Sequence, residues 1–451
     1  MDSTNEQITT ACPCHVVAMP FPGRGHINPM MNLCKLLVSK KKDILITFVV
    51  IEEWLGFIGS EPKPDNIRFE AIPNVVLPER LEASNLPSFN FYIAMTNMEA
   101  PFEQLLDRLE LPVTAIIGDI EVKWSTGVAK RRNIPMAMLW TMSASVFSMF
   151  HHFDLHVKRS DATIDDLIEQ VENIAGISSS NVEELRKIFY RDDPRVLEFT
   201  LDCVSRVTQA QYLLFTSVYE FEPEVIDGLR AAYNFPVYPI GPAIPYMELR
   251  QGSSTTESYI QWLDSQQPGS TLYISFGSFL SVSNTQMDEI AAGMQISGVR
   301  YLWMAREEAS RLKERCGDTG LVVPWCDQLK VLCHPSIGGF WTHCGWNSIL
   351  EAVFAGVPML TFPLFLDQDS NSRQIVEDWG NGWRVKAEKL VSREEIAELV
   401  RRFMDAESNE GKKMRRAAKQ IQDKCRVAIS EGGSSAANLD AFANSISPGE
   451  G

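Results

Sequence analysis

Between Trp325 and Gln368 the chain reads WCDQLKVLCHPSIGGFWTHCGWNSILEAVFAGVPMLTFPLFLDQ. The apolar run Ile337 to Trp341 predicts a buried strand, and Thr342 to Gly345 a turn. A helix opens at Trp346-Asn347-Ser348 and stops at Gly356, with Pro358 beyond it. A helix N-terminus that follows a strand is an anion site, because its free N–H groups and dipole favour negative charge. His343 stands beside that terminus as a further hydrogen-bond donor, and Asn347 and Ser348 add side-chain donors. Glu351 lies four residues after Asn347 and so on the same helix face. A carboxylate just past a phosphate site is how many nucleotide folds hold a ribose diol. At the other end of the segment, Trp325 could stack on a base and Gln328 bond its edge. Taken singly, most of these residues have duller explanations: a core tryptophan, a solvated helix charge. Their order and spacing together favour a nucleotide.

A second constellation could move a proton. His26 follows Gly23-Arg24-Gly25 at the end of the first apolar run, and Asp119 ends the run that starts at Val113. A carboxylate bonded to one imidazole nitrogen fixes the tautomer and raises the basicity of the other, which makes His26 a candidate general base and Asp119 its partner. Without Asp119, His26 is an ordinary loop histidine; without His26, Asp119 is a strand-end cap. Gly23-x-Gly25 lacks the third glycine of a dinucleotide fingerprint, since Asn28 stands there. That disfavours a nicotinamide-dependent oxidoreductase.

These residues need a scaffold that brings strand ends together. Strands are expected at His15–Met19, Ile44–Ile51, Val113–Ile117, Ala137–Leu139 and Gln211–Phe215, the last closing the first half. In the second half they fall at Thr271–Ser275, Tyr301–Ala305, Leu321–Val323, Ile337–Trp341 and Met359–Phe362. Helical patterns lie between them, at Asn28–Val38, Asn284–Ser297 and Trp346–Ala355. Two more helices, Ser392–Met404 and Glu410–Ile429, follow. Strands alternating with helices predict parallel sheets covered on both faces. The proline-rich stretch FPVYPIGPAIP, from Phe235 to Pro245, and the polar patch after it read as a linker. The fold class is therefore α/β, two doubly wound Rossmann-like halves facing across a cleft. Residues 1–240 form an N-terminal domain, 241–430 a C-terminal domain and 431–451 a tail. Ligands in such sheets sit beyond the carboxyl ends of the strands, so one shared cleft suits a two-substrate reaction.

Composition limits the alternatives. The chain has 451 residues, 45% hydrophobic and 22% charged, which is ordinary for globular domains. Its formal charge of −16 disfavours binding to nucleic-acid backbones. The N-terminus MDSTNEQITT has no basic or apolar signal region, and the nine cysteines show no disulfide framework. A reducing, cytoplasmic location without membrane insertion is expected. Cys12-Pro-Cys14-His15 suggests metal ligands but has no second cysteine pair, and reads instead as a chain end and the start of a strand.

The Trp325–Gln368 segment closely resembles the signature box of plant UDP-sugar-dependent glycosyltransferases of family 1, which have the GT-B fold. Outside the box, Pro20 to Pro29, Ile274 to Ser278 and Gly432 to Leu439 resemble further family segments. The pattern is most similar to a small plant subgroup numbered 87. The chain departs from it at Cys326-Asp327, where Ala-Pro is common, and in a shortened stretch from Arg306 to Gly320.

The resemblance implies an inverting transfer of a sugar, glucose above all, from a UDP-sugar to a hydroxyl of a small apolar acceptor. His26 would be the base and Asp119 its partner. Trp325 would stack on uracil, Gln328 would help hold the nucleoside and Glu351 the ribose. His343, Asn347, Ser348 and Ser278 would hold the phosphates, and Trp346, Asp367, Gln368 and Thr141 would approach the sugar. The tail would pack back on the N-terminal domain. Asp367-Gln368-Asp369 is formally a metal-binding D-x-D, but its place in the box implies sugar contact. No metal and no cofactor are expected, with UDP-glucose a co-substrate, and the protein is expected to be monomeric. Phe89, Phe91, Tyr92, Met95, Phe147 and Phe150 could line an acceptor pocket or simply pack a core. The rival of another class is a non-catalytic UDP-sugar or small-molecule binding protein of the same fold; the presence of both His26 and Asp119 argues against it.

Overall fold

The computed structural model describes residues 14–74, 95–157, 164–172, 174–177, 181–183, 185–187, 194–251, 257–277, 282–315, 317–365, 367–385 and 390–447. Seven strands form the first sheet: β1 (Cys14–Met19), β2 (Ile44–Ile51), β3 (Ile67–Ile72), β4 (Ala115–Asp119), β5 (Met136–Trp140), β6 (Tyr212–Phe215) and β7 (Val237–Pro239). Their order is β3-β2-β1-β4-β5-β6-β7, all parallel. The second sheet holds β8 (Thr271–Ser275), β9 (Arg300–Met304), β10 (Gly320–Val323), β11 (Ile337–Thr342), β12 (Met359–Thr361) and β13 (Gly382–Arg384). Its order is β10-β9-β8-β11-β12-β13, again parallel.

Continuous apolar runs suit strands that are covered on both faces. In β1, Val17 and Met19 face one hydrophobic cluster, and Val16 and Ala18 face another. In β8, Tyr273 and the pair Leu272 and Ile274 divide between clusters in the same way.

Three strands lay outside the sequence expectation, all at sheet edges: β3, β7 and β13. β3 carries Arg68 and Glu70, so charge interrupts its apolar run. β7 lies inside the stretch read as a linker. Proline is tolerated there because an edge strand has one side free of ladder bonds.

Each sheet reverses direction once. In the first, the chain leaves β1 toward β2 and β3 and returns to β4 on the other side. In the second, the same happens between β8 and β11. These switch points open crevices at the strand ends. The helix Ser434–Ile446 buries Leu439, Phe442, Ala443 and Ile446 in a core shared with β1, β2 and the helix Arg24–Lys40. Each large apolar side chain so buried contributes on the order of 2 kcal/mol. The chain end thereby ties onto the first sheet's layer. Among the described residues no helix is long and apolar enough to cross a membrane.

Candidate active site

At the first switch point, β1 runs into a turn and then the helix Arg24–Lys40. That helix begins four residues earlier than the sequence suggested. Gly23 is its extended N-cap, and the Gly23 carbonyl accepts from the His26 and Ile27 N–H groups at 2.9 and 2.8 Å. His26 therefore stands on the first helical turn, not in a loop. Pro29 lies inside the helix.

Asp119 ends β4 beside it and is 2% exposed. His26 Nδ1–H donates to Asp119 Oδ2 at 2.8 Å, and Asp119 Oδ1 accepts from the Glu121 N–H at 3.0 Å. A carboxylate can only accept, so Nδ1 carries the proton and Nε2 is left as the basic nitrogen. Thr141, just past β5, places its hydroxyl 3.2 Å from the same Nδ1, next to the base. Burial lowers the affinity of His26 for its proton. The charges of Asp119 and Glu121, the Asp119 bond and the charge of Asp367 outweigh this and raise its pKa to about 9.

Glu121 was not singled out in the sequence; its only signal was its place two residues after Asp119. Burial raises its carboxyl to about 7, with His26 opposing and Asp119 and Asp367 reinforcing the rise. The next basic residue, Lys123, is committed to Asp202 at 2.7 Å and lies over the Phe199 ring.

The second switch point faces this group. β11 ends in a tight turn where Cys344 adopts a left-handed backbone, φ 69°. Such a conformation costs a non-glycine residue of order 1–3 kcal/mol. Bonds from Cys344 N–H to Thr342 Oγ at 3.1 Å and from Asn371 Nδ2 to the Cys344 carbonyl at 3.0 Å hold the turn. The helix Trp346–Ala355 follows from Gly345, which provides no side-chain cap. Its first N–H groups thus have no intrahelical partner and form a site for an anion.

His343 sits beside them. Burial lowers its pKa to about 4, with the Ser275 carbonyl opposing and the Arg306 charge adding to the fall. It is a neutral donor at physiological pH. A Cβ added at Gly277 or at Gly345 would each lie 2.5 Å from His343 Nε2, so only glycine leaves room for this ring.

Trp325 is 60% exposed, as a stacking platform must be. Asp327, one of the departures from the family pattern, caps the short helix Gln328–Leu332 through the Lys330 N–H. Gln328 is then directed at Glu351 and Ser348. Its Nε2 donates to Glu351 Oε2 at 2.7 Å and to Ser348 Oγ at 3.0 Å, and its Oε1 accepts from Tyr273 OH at 3.2 Å. Its amide is thereby engaged with protein groups, where a nucleoside contact was expected. Burial raises Glu351 to about 7 against the pull of the Gln328 bond, with Asp327 adding to the rise.

Other placements differ from expectation. The Trp346 indole is 3% exposed and lies against Trp379 in the core, so only its main-chain N–H can reach a sugar. Asn347 donates from Nδ2 to the Gly25 carbonyl of the other domain at 2.7 Å. Gln368 Oε1 accepts from the Leu364 and Phe365 N–H groups at 2.9 and 3.1 Å, leaving its Nε2 as the group available to a ligand. Asp367 Oδ2 accepts from Asn371 Nδ2 at 2.7 Å, and burial raises its pKa to about 6 despite that bond, its own main chain and the charge of His26. Asp369 turns the other way, to Lys187 and Arg384. The two carboxylates of the D-x-D do not converge. Among the described residues no three metal-ligating side chains do.

Ser278, Phe89, Phe91 and Tyr92 lie outside the described residues. Met95, Phe147 and Phe150 are buried, and Phe147 packs edge-on against Trp140 and Phe215, which makes it core and not pocket wall.

Known proteins resemble this chain in sequence and in fold. Residues 196–420 match the family model for UDP-glucoronosyl and UDP-glucosyl transferase. The chain is 49% identical to UDP-glycosyltransferase 87A2 of Arabidopsis thaliana, covering 96% of each, and 47% identical to UDP-glycosyltransferase 87A1 of the same plant, covering 95% of this chain and 99% of that one. Among solved structures it is similar to a UDP-glucosyltransferase of Polygonum tinctorium capable of glucosylating indoxyl. There the TM-score is 0.82 and the identity 26%, over 98% of this chain and 100% of that one. It is also similar to Phytolacca americana UGT2 complexed with UDP-2fluoro-glucose and pterostilbene. The TM-score is 0.80 and the identity 27%, over 96% and 100% of the two chains. The chain belongs to the UDP-glycosyltransferase family and has its GT-B fold, with the plant subgroup numbered 87 among its relatives.

Proposed function

We propose that this glycosyltransferase moves glucose from UDP-glucose to a hydroxyl of a small, largely apolar acceptor, with inversion, and that His26 is its general base. The observation that carries this is the 2.8 Å His26–Asp119 pair, placed across the cleft from the uncapped Trp346 helix. Nε2 takes the proton of the acceptor hydroxyl as its oxygen bonds to the anomeric carbon. The bond from that carbon to the β-phosphate oxygen breaks on the opposite side. The departing UDP keeps the electron pair, and its charge meets the helix N–H groups, Ser348 and the neutral His343. Trp325 stacks on the base and Glu351 binds the ribose. Three carboxyls, of Asp119, Glu121 and Asp367, influence His26, and this favours neutral acceptors over carboxylates. Incubating the protein with UDP-glucose and a panel of phenols and alcohols, and following UDP release with glucoside formation, tests the proposal. No UDP release with any acceptor, while UDP still binds, would favour a non-catalytic binder.

Donor choice rests on what Asp367 and Gln368 have left to offer. Asp367 keeps one carboxylate oxygen and Gln368 keeps its NH₂. One acceptor beside one donor suits adjacent equatorial hydroxyls. An axial hydroxyl would leave one of them unpaired, at about 1–3 kcal/mol. UDP-glucose should exceed UDP-galactose in kcat/KM by roughly one to two powers of ten. Gln368→Glu still accepts the two loop N–H groups but has no donor, and should lower kcat/KM for glucose about tenfold. A competition assay with both donors checks each expectation; equal use of the two sugars would show that these residues do not read them.

EDTA should leave transfer intact. The donors at the phosphate end are main-chain N–H groups, a hydroxyl and a neutral imidazole. The carboxylates of the D-x-D point to separate partners. Activity lost on chelation and restored by magnesium or manganese would revive a metal reading.

A further inference from the structure

Pro29 occupies the sixth position of the helix Arg24–Lys40. In an α-helix the residue at that position would donate its N–H to the carbonyl four residues earlier, which here is Gly25. Proline has no N–H to give. The Gly25 carbonyl is thus left out of the helical ladder, one residue before His26. It is this carbonyl that Asn347 Nδ2 reaches, at 2.7 Å, from the first turn of the helix Trp346–Ala355 in the other domain.

We infer that Pro29 is a positioning residue: by withholding its N–H it keeps the Gly25 carbonyl free for Asn347, and this one bond fixes the base of one domain against the phosphate-binding helix of the other. The inference rests on His26 being the base. Asn347 lies one residue inside the helix whose N-terminus meets the leaving group, and Gly25 is bonded directly to His26. A single hydrogen bond therefore connects the two ends of the reaction, the group that takes the proton and the group that receives the leaving charge. Apart from this bond, the two turns belong to separate sheets with separate cores. Pro29 is itself buried, and its neighbours Ile27 and Met30 pack in the core beneath β1. The helix is anchored whether or not residue 29 is proline, and the missing N–H is what a substitution changes.

The test is Pro29→Ala together with Pro29→Val, which restores the N–H while keeping most of the buried volume. Either residue can close the helical bond to the Gly25 carbonyl and compete with Asn347. A proline in a helix interior is costly, so the thermal midpoint should stay level or rise. The rate should nevertheless fall. We expect kcat with UDP-glucose and an alcohol acceptor to drop about tenfold, with the KM for UDP-glucose held within about twofold, because misplacing a reacting group is expensive in rate. A purely structural role for Pro29 would move stability and rate in the same direction. In an Asn347→Ala background the proline substitution should cost nothing further, since both act through the same bond. Wild-type kcat in both Pro29 variants, or an equal loss in the presence and absence of Asn347, would overturn the inference. Wild-type protein that releases no UDP with any acceptor would overturn it together with the transferase reading; active wild type with unaffected variants would remove the Pro29 role alone.

Discussion

Replacing His26 by alanine should lower kcat with an alcohol acceptor by about 10² to 10⁴ while UDP-glucose still binds. The imidazole is the group proposed to take the acceptor proton, and the residues proposed to hold the nucleotide lie on the other sheet. The loss should shrink for acidic phenols, which part with their proton unaided. The pH dependence gives an independent signature. The carboxylates around His26 hold it protonated up to about 9 in the free enzyme. Only the deprotonated ring can act as a base, so kcat/KM should climb roughly tenfold per pH unit through neutrality and level off near that value. Asp119→Asn removes one of the charges that raise it, and should move the limb to lower pH while slowing the plateau rate. Wild-type turnover in His26→Ala with an ordinary alcohol would mean that another group, such as the buried Glu121, takes the proton.

The second large effect belongs to His343. Its alanine variant should lose about 10² to 10³ in kcat, the usual cost of removing one donor aimed at developing charge. The ring is kept neutral by burial, with a pKa of about 4, so it acts as a hydrogen-bond donor and not as a cation. No activity limb between pH 5 and 7 should be traceable to it, and His343→Gln, which keeps an N–H, should recover part of the lost rate. Steady-state kinetics of the two variants would show this. Equal losses in both would mean that the ring's shape, wedged between Gly277 and Gly345, matters more than its donor.

Much of this site could be read from residue order. The apolar runs at β1, β8 and β11 are nearly continuous because both faces of a parallel sheet are covered, and that covering made the two Rossmann-like halves legible. The segment from Trp325 to Gln368 points to a nucleotide through local chemistry: a helix start with glycine before it, a histidine at the turn and a carboxylate one turn on. Such features are set within a few residues of each other, so sequence alone determines them. The edge strands β3, β7 and β13 escaped because an edge has a solvent-facing side and does not need an unbroken apolar run.

What the sequence could not decide is how committed each polar group is. Gln328 and Gln368 have the same side chain and both suggest ligand contact. Only packing shows that Gln328 spends its amide on Glu351, Ser348 and Tyr273, while Gln368 spends its oxygen on a loop and keeps its nitrogen. Glu121 gains its interest from its burial beside His26 and Asp119, with Asp367, 246 residues away in sequence, adding its charge from across the cleft. The same holds for Asn347 and Gly25, whose bond spans 322 residues. Hydrogen bonds and charge interactions of this range depend on how two separately folded sheets face each other, and no local pattern encodes that. Sequence determined which groups are present at each strand end; the tertiary structure decided which of them are left free to act.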